Sequence, residues 1–127
     1  MNRFTAPLLA VGLLATLSAC GSERPASGTT PANVDVDVRA IDGLAWNKGS
    51  YTATATDGSV TVYGANDSGL AHNLYVLDAS GNEVGKHLDL PGRGSDGTLT
   101  VELAPGEYRI VCTIPGHSSM DSTLTVV

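Results

Sequence analysis

Few residues in this 127-residue chain can do metal or redox chemistry: two Cys, two Met, three His and one Trp. Aromatic residues make up only 5% of the chain and charged ones 16%. Low aromatic content does not imply disorder here, because Val, Leu and Ile are plentiful and recur in patterned runs. Basic residues are also sparse, seven Lys and Arg against 13 Asp and Glu, for a net charge of −6. That balance excludes nucleic acid as a partner, since phosphates would be repelled. The length suits one domain and leaves no room for a second full core. No ten-residue window carries a clean 3.6-residue apolar stripe, so helices are not expected. No glycine motif cradles a phosphate either: the glycines at 92–97 precede no helix.

The first segment is an address. Pro7–Leu17 is an apolar run as long as the hydrophobic part of a signal peptide and too short to cross a bilayer. It ends in Leu17-Ser18-Ala19-Cys20, which resembles the lipobox of bacterial lipoproteins. The resemblance implies cleavage before Cys20, acylation of its thiol, and an extracytoplasmic protein held to the membrane through that lipid. Residues 1–19 are then a signal peptide. Residues 20–33 are a flexible tether rich in Ser, Thr, Gly, Pro and Ala, and 34–127 are the folded domain. Removing the leader also removes Arg3 and Met1. Cys112 is then the one thiol free of lipid, and a single Cys cannot form an internal disulfide even in an oxidising compartment. It is either buried and inert or held as a ligand.

From residue 34 the pattern is β. Val34, Val36 and Val38 alternate with Asp35, Asp37 and Arg39, the period of a half-buried strand. Further strands are expected over 51–56, 59–63, 70–77, 98–103, 107–113 and 122–127. Turns are expected at Asp57-Gly58, Asp67-Ser68-Gly69 and Ala104-Pro105-Gly106. Residues 78–97 hold five glycines and read as a long irregular connection. About seven short strands at this spacing predict an all-β Greek-key sandwich or small barrel.

The chemistry is concentrated in the last hairpin. Cys112, His117 and Met120 fall within nine residues at a strand end and the loop that follows. Thiolate and thioether favour copper, imidazole serves both of its oxidation states, and hard cations would require carboxylates instead. Pro115-Gly116 allows the loop to fold back so that its ligands converge. A trigonal site needs one more imidazole, and His72 fits because its strand can pair beside that of Cys112. His72, Cys112 and His117 with a weak axial Met120 form the ligand set of a blue-copper centre for one copper ion. Each of these residues alone is more often a core or surface residue than a ligand; together they absorb the free Cys, the remaining Met and two of the three His. His87, beside Lys86 in the glycine-rich connection, is expected to be a solvated loop residue.

At these positions the sequence resembles the cupredoxin family, the plastocyanin- and azurin-like blue copper proteins. The matching pieces are Ala71-His72-Asn73, Pro105-Gly106-Glu107-Tyr108, Cys112-Thr113-Ile114-Pro115-Gly116-His117, Met120 and Thr123-Leu124-Thr125-Val126. The gap of two residues from His117 to Met120 is shorter than the three or four common in the family. The resemblance implies a cupredoxin sandwich that transfers electrons to and from a redox protein partner, with a monomeric folded domain. It further implies that Asn73 braces the ligand loop by hydrogen bonding near Thr113, that His117 lies near the surface as the electron path, and that Ile114 and Pro115 join an apolar docking patch. Catalysis is not expected, because four protein ligands leave no open position for substrate. The alternative is a copper carrier or storage lipoprotein delivering copper to an oxidase. A Cys–His nucleophilic enzyme would leave Met120 and His72 unexplained, and an Ig-like adhesion module would leave the whole ligand cluster unexplained.

Overall fold

The structure, a computed structural model, describes residues 29–127. The expected signal peptide and most of the expected tether lie outside the described residues. Thr30, at the end of that tether segment, already touches the domain: its Oγ1 donates to Asp37 at 2.5 Å and accepts from Arg39 Nη2 at 2.8 Å.

Nine strands run through the described residues: β1 (Val36–Ile41), β2 (Ala45–Trp46), β3 (Ser50–Ala53), β4 (Ser59–Asn66), β5 (His72–Leu77), β6 (Leu88–Leu90), β7 (Asp96–Glu102), β8 (Gly106–Val111) and β9 (Asp121–Val126). They form two sheets, β2-β1-β4-β7 and β3-β9-β8-β5-β6. Most neighbours are antiparallel, but β1 runs parallel to β4 and β3 parallel to β9. The expected all-β sandwich is therefore present. Among the described residues there is no helix, and hence none long and apolar enough to cross a membrane.

Alternation explains how the sheets stack. Val36, Val38 and Ala40 of β1, Leu74 and Val76 of β5, and Leu124 and Val126 of β9 all point inward and are at most 4% exposed. Asp57 (φ 51°) and Gly58 (φ 77°) both sit in the left-handed region, joined by the Thr56–Ser59 bridge. That is the two-residue turn whose twist matches flanking antiparallel strands, and Asp-Gly is the pair that tolerates it.

Two short strands lie outside the expected set. β2 contributes Trp46, 5% exposed, whose Nε1–H donates across the sandwich to Ile110 O at 3.1 Å. β6 lies inside the expected irregular connection and pairs with β5, placing Leu90 opposite His72 and Leu88 opposite Leu74. β5 also begins later than expected: Leu70 stays in the preceding loop, 53% exposed.

Candidate metal centre

The inward face of β5 runs Val76, Leu74, His72, so the strand's apolar stripe ends in an imidazole at one end of the sandwich. β8 lies beside it in antiparallel register, with Tyr75 opposite Val111, which brings Cys112 to the same end. The loop after Cys112 then closes on itself. His117 N–H donates to Ile114 O at 3.0 Å, Met120 N–H to His117 O at 2.9 Å, and Cys112 N–H to Met120 O at 3.1 Å. Two successive tight turns, with Gly116 at φ 87°, return the chain to Cys112 despite the short gap between His117 and Met120.

The result is a cluster of soft donors. His72 Nδ1 lies 3.2 Å from His117 Nδ1 and 4.0 Å from Cys112 Sγ, and Cys112 Sγ lies 3.5 Å from His117 Nδ1. Nitrogen and sulfur donors bonded to one ion at about 2.0–2.3 Å lie roughly 3–4 Å from one another, the range of these separations. His72 and Cys112 are buried and His117 is half-buried. Met120 is fully buried in the cluster of core residues that includes Cys112. Burial disfavours a charged His72 and pushes its pKa down, and the neighbouring His117 adds to this. A neutral imidazole is the form that ligates metals.

Surrounding hydrogen bonds fix the donors. Asn73 Nδ2 donates to Thr113 Oγ1 at 2.9 Å, and Thr113 N–H donates to Asn73 Oδ1 at 2.7 Å. This two-way clamp joins the residue after His72 to the residue after Cys112, the bracing implied by the sequence resemblance. Asn73→Ala should lower the unfolding free energy by about 1 kcal/mol, since both bonds are exposed, whereas Asn73→Asp should retain part of that through its acceptor to Thr113 N–H. Urea denaturation of the metal-free protein would measure both.

Ser68 and Asn66 support the cluster from behind His72. Ser68 Oγ lies 2.6 Å from His72 Nε2, on the opposite side of the ring from the cluster. The only sequence signal was a turn at Asp67-Ser68-Gly69, which says nothing of a partner four residues on. His87 lies apart from the three-residue cluster, but it is more than a solvated loop residue. Because β6 folds back along β5, the His87 ring stacks on Tyr75, with centroids 4.4 Å apart and planes within 3°. Its two nitrogens face Glu83 at 3.7 Å and Asp89 at 3.5 Å.

No protein-family model matches the sequence, nor does any curated protein. Solved structures do. Dithionite-reduced auracyanin from the photosynthetic bacterium Roseiflexus castenholzii superposes with a TM-score of 0.64 at 22% identity, over 76% of this chain and 99% of that one. The azurin Az-iso2 from the obligate methylotroph Methylomonas sp. strain J gives 0.64 at 17% identity, over 76% and 99%. Auracyanin B gives 0.60 at 26% identity, over 79% and 92%. The fold is the cupredoxin fold, and the donor set His72, Cys112, His117 and Met120 fits one type 1 copper ion.

Proposed function

We propose that this chain is a blue-copper electron-transfer protein, held at the extracytoplasmic face of a bacterial membrane by a lipid on Cys20. The observation that carries the reading is the convergence of His72, Cys112 and His117 at one end of the sandwich, their donor atoms within 4.8 Å of one another. His72, Cys112 and His117 would hold the ion, with the Met120 thioether as a further soft donor. Copper bound there supplies a one-electron Cu(II)/Cu(I) couple.

The protein's part is to keep its donors still. Cys112 is tied to Met120 through the backbone and lies next to Thr113, which Asn73 clamps. Trp46 fixes β8 two residues before Cys112. Side chains that do not rearrange suit an ion that alternates between two oxidation states. Rigid, largely buried donors also favour a redox centre over a carrier, which must give up its cargo. Likeness to a protein crystallised in a dithionite-reduced form agrees with a redox role.

Half-buried His117 is the most accessible of the three donors, flanked in its loop by half-buried Ile114 and exposed Pro115. A redox partner would dock over this apolar surface, with exposed Leu70 from the loop before His72. Voltammetry of the copper-loaded protein tests the assignment. A reversible one-electron wave, with the blue colour bleaching on reduction and returning on oxidation, is the expected result; copper lost on reduction would favour the carrier. For the anchor, Cys20→Ala should move the protein from the membrane fraction to the soluble fraction, measured by fractionation and immunoblot.

A further inference from the structure

A buried chain of hydrogen bonds runs away from the back of His72, and the direction of every proton in it follows from its far end. Asn66 is fully buried and Ser68 is 2% exposed. Asn66 Nδ2 lies 2.7 Å from Leu70 O and 2.9 Å from Leu90 O. Carbonyl oxygens only accept, so the amide nitrogen must face them and Oδ1 must face Ser68. There Oδ1 accepts from Ser68 N–H at 2.9 Å and lies 2.9 Å from Ser68 Oγ. An amide oxygen brings no hydrogen, so the Ser68 hydroxyl hydrogen points to it. The competing acceptor, Leu70 O, is farther away at 3.3 Å.

Ser68 Oγ is left with its lone pairs. One takes Leu70 N–H at 3.3 Å, and the other faces His72 Nε2 at 2.6 Å. The hydrogen in that short contact comes from the imidazole. A neutral ring with its hydrogen on Nε2 has a bare lone pair on Nδ1. Nδ1 is the atom that faces Cys112 and His117.

We propose that Ser68, itself oriented by Asn66, is a positioning residue that sets the tautomer and ring orientation of His72, so that Nδ1 is a ready donor before any ion arrives. The consequence for copper rests on the electron-transfer reading above; the tautomer does not. Outer partners of this kind commonly change metal affinity by about 10- to 100-fold.

Long-range proton–nitrogen correlation spectra of the metal-free, ¹⁵N-labelled protein show which ring nitrogen of His72 carries hydrogen. The expected result is hydrogen on Nε2 in the wild type and a mixture of tautomers in Ser68→Ala. The copper-loaded Ser68→Ala protein should release copper to a chelator about 10-fold faster, and Ser68→Thr, which keeps the hydroxyl, should return toward wild type. Hydrogen on Nδ1 in the wild type would overturn the proposal without any variant having to fold. So would a Ser68→Ala protein with unchanged tautomer and unchanged release. A wild-type protein with hydrogen on Nε2 that binds copper without a blue band would leave the positioning role standing and refute the copper-centre reading instead.

Discussion

Replacing Cys112 with Ser should abolish the intense blue absorption of the copper-loaded protein while leaving the sandwich folded. The colour arises from charge transfer between a thiolate sulfur and Cu(II), and Cys112 supplies the one sulfur ligand that can be a thiolate. Met120 offers only a neutral thioether. Cys112 Sγ sits 3.5 and 4.0 Å from the two imidazole nitrogens, so no other group takes over its place. Ser is nearly isosteric, and neither Trp46 Nε1–Ile110 O nor the Asn73–Thr113 clamp involves the Cys112 side chain. Far-ultraviolet circular dichroism should therefore be unchanged, while the visible band is lost entirely. His87→Ala is the control and should keep the full band, since His87 lies outside the cluster and stacks on Tyr75.

The largest effect on stability is expected from Leu74→Ala. Leu74 is fully buried on the inward face of β5, two residues from His72. Its Cδ1 lies against Gly64 of β4 in the facing sheet: a Cβ built there would come within 3.1 Å of it. Truncation removes the buried methyls and leaves a cavity between two hydrogen-bonded sheets that cannot easily close, which costs about 2–5 kcal/mol. For a domain of this size each kcal/mol lowers Tm by roughly 4–8 °C, so a drop of at least about 8 °C is expected by calorimetry of the metal-free protein. Leu70→Ser, at an exposed position, should change stability by no more than about 0.5 kcal/mol.

Features that depend on local pattern are legible in the sequence. Val34, Val36 and Val38 point to β1 through a period of two, although the strand itself begins only at Val36, and the loop from Cys112 to Met120 points to a soft-ligand site because its donors are neighbours in the chain. His72 was reachable by scarcity, as the one remaining imidazole on a strand able to lie beside Cys112. What escaped was decided by distant contacts. A two-residue strand at Ala45–Trp46 and a three-residue strand at Leu88–Leu90 are too short to show a period, and each exists because a longer strand is there to pair with it. The same holds for His87, whose stacking depends on β6 folding back along β5. Asn66 and Ser68 read as the end of one strand and a turn. Only the folded chain, with Leu90 O beside Asn66 and His72 beside Ser68, turns them into a support for the site.

If His72, Cys112, His117 and Met120 hold one copper ion with a thiolate bond, the metal-free protein has a single binding site with a characteristic spectrum. Titrating the metal-free protein with Cu(II), while recording its optical and electron paramagnetic resonance spectra, tests this most directly. An intense blue band is expected that grows linearly and saturates at one copper per chain, with the narrow hyperfine splitting of a copper–thiolate centre. Copper bound without that band, or a band that continues to grow toward a second equivalent, would contradict it.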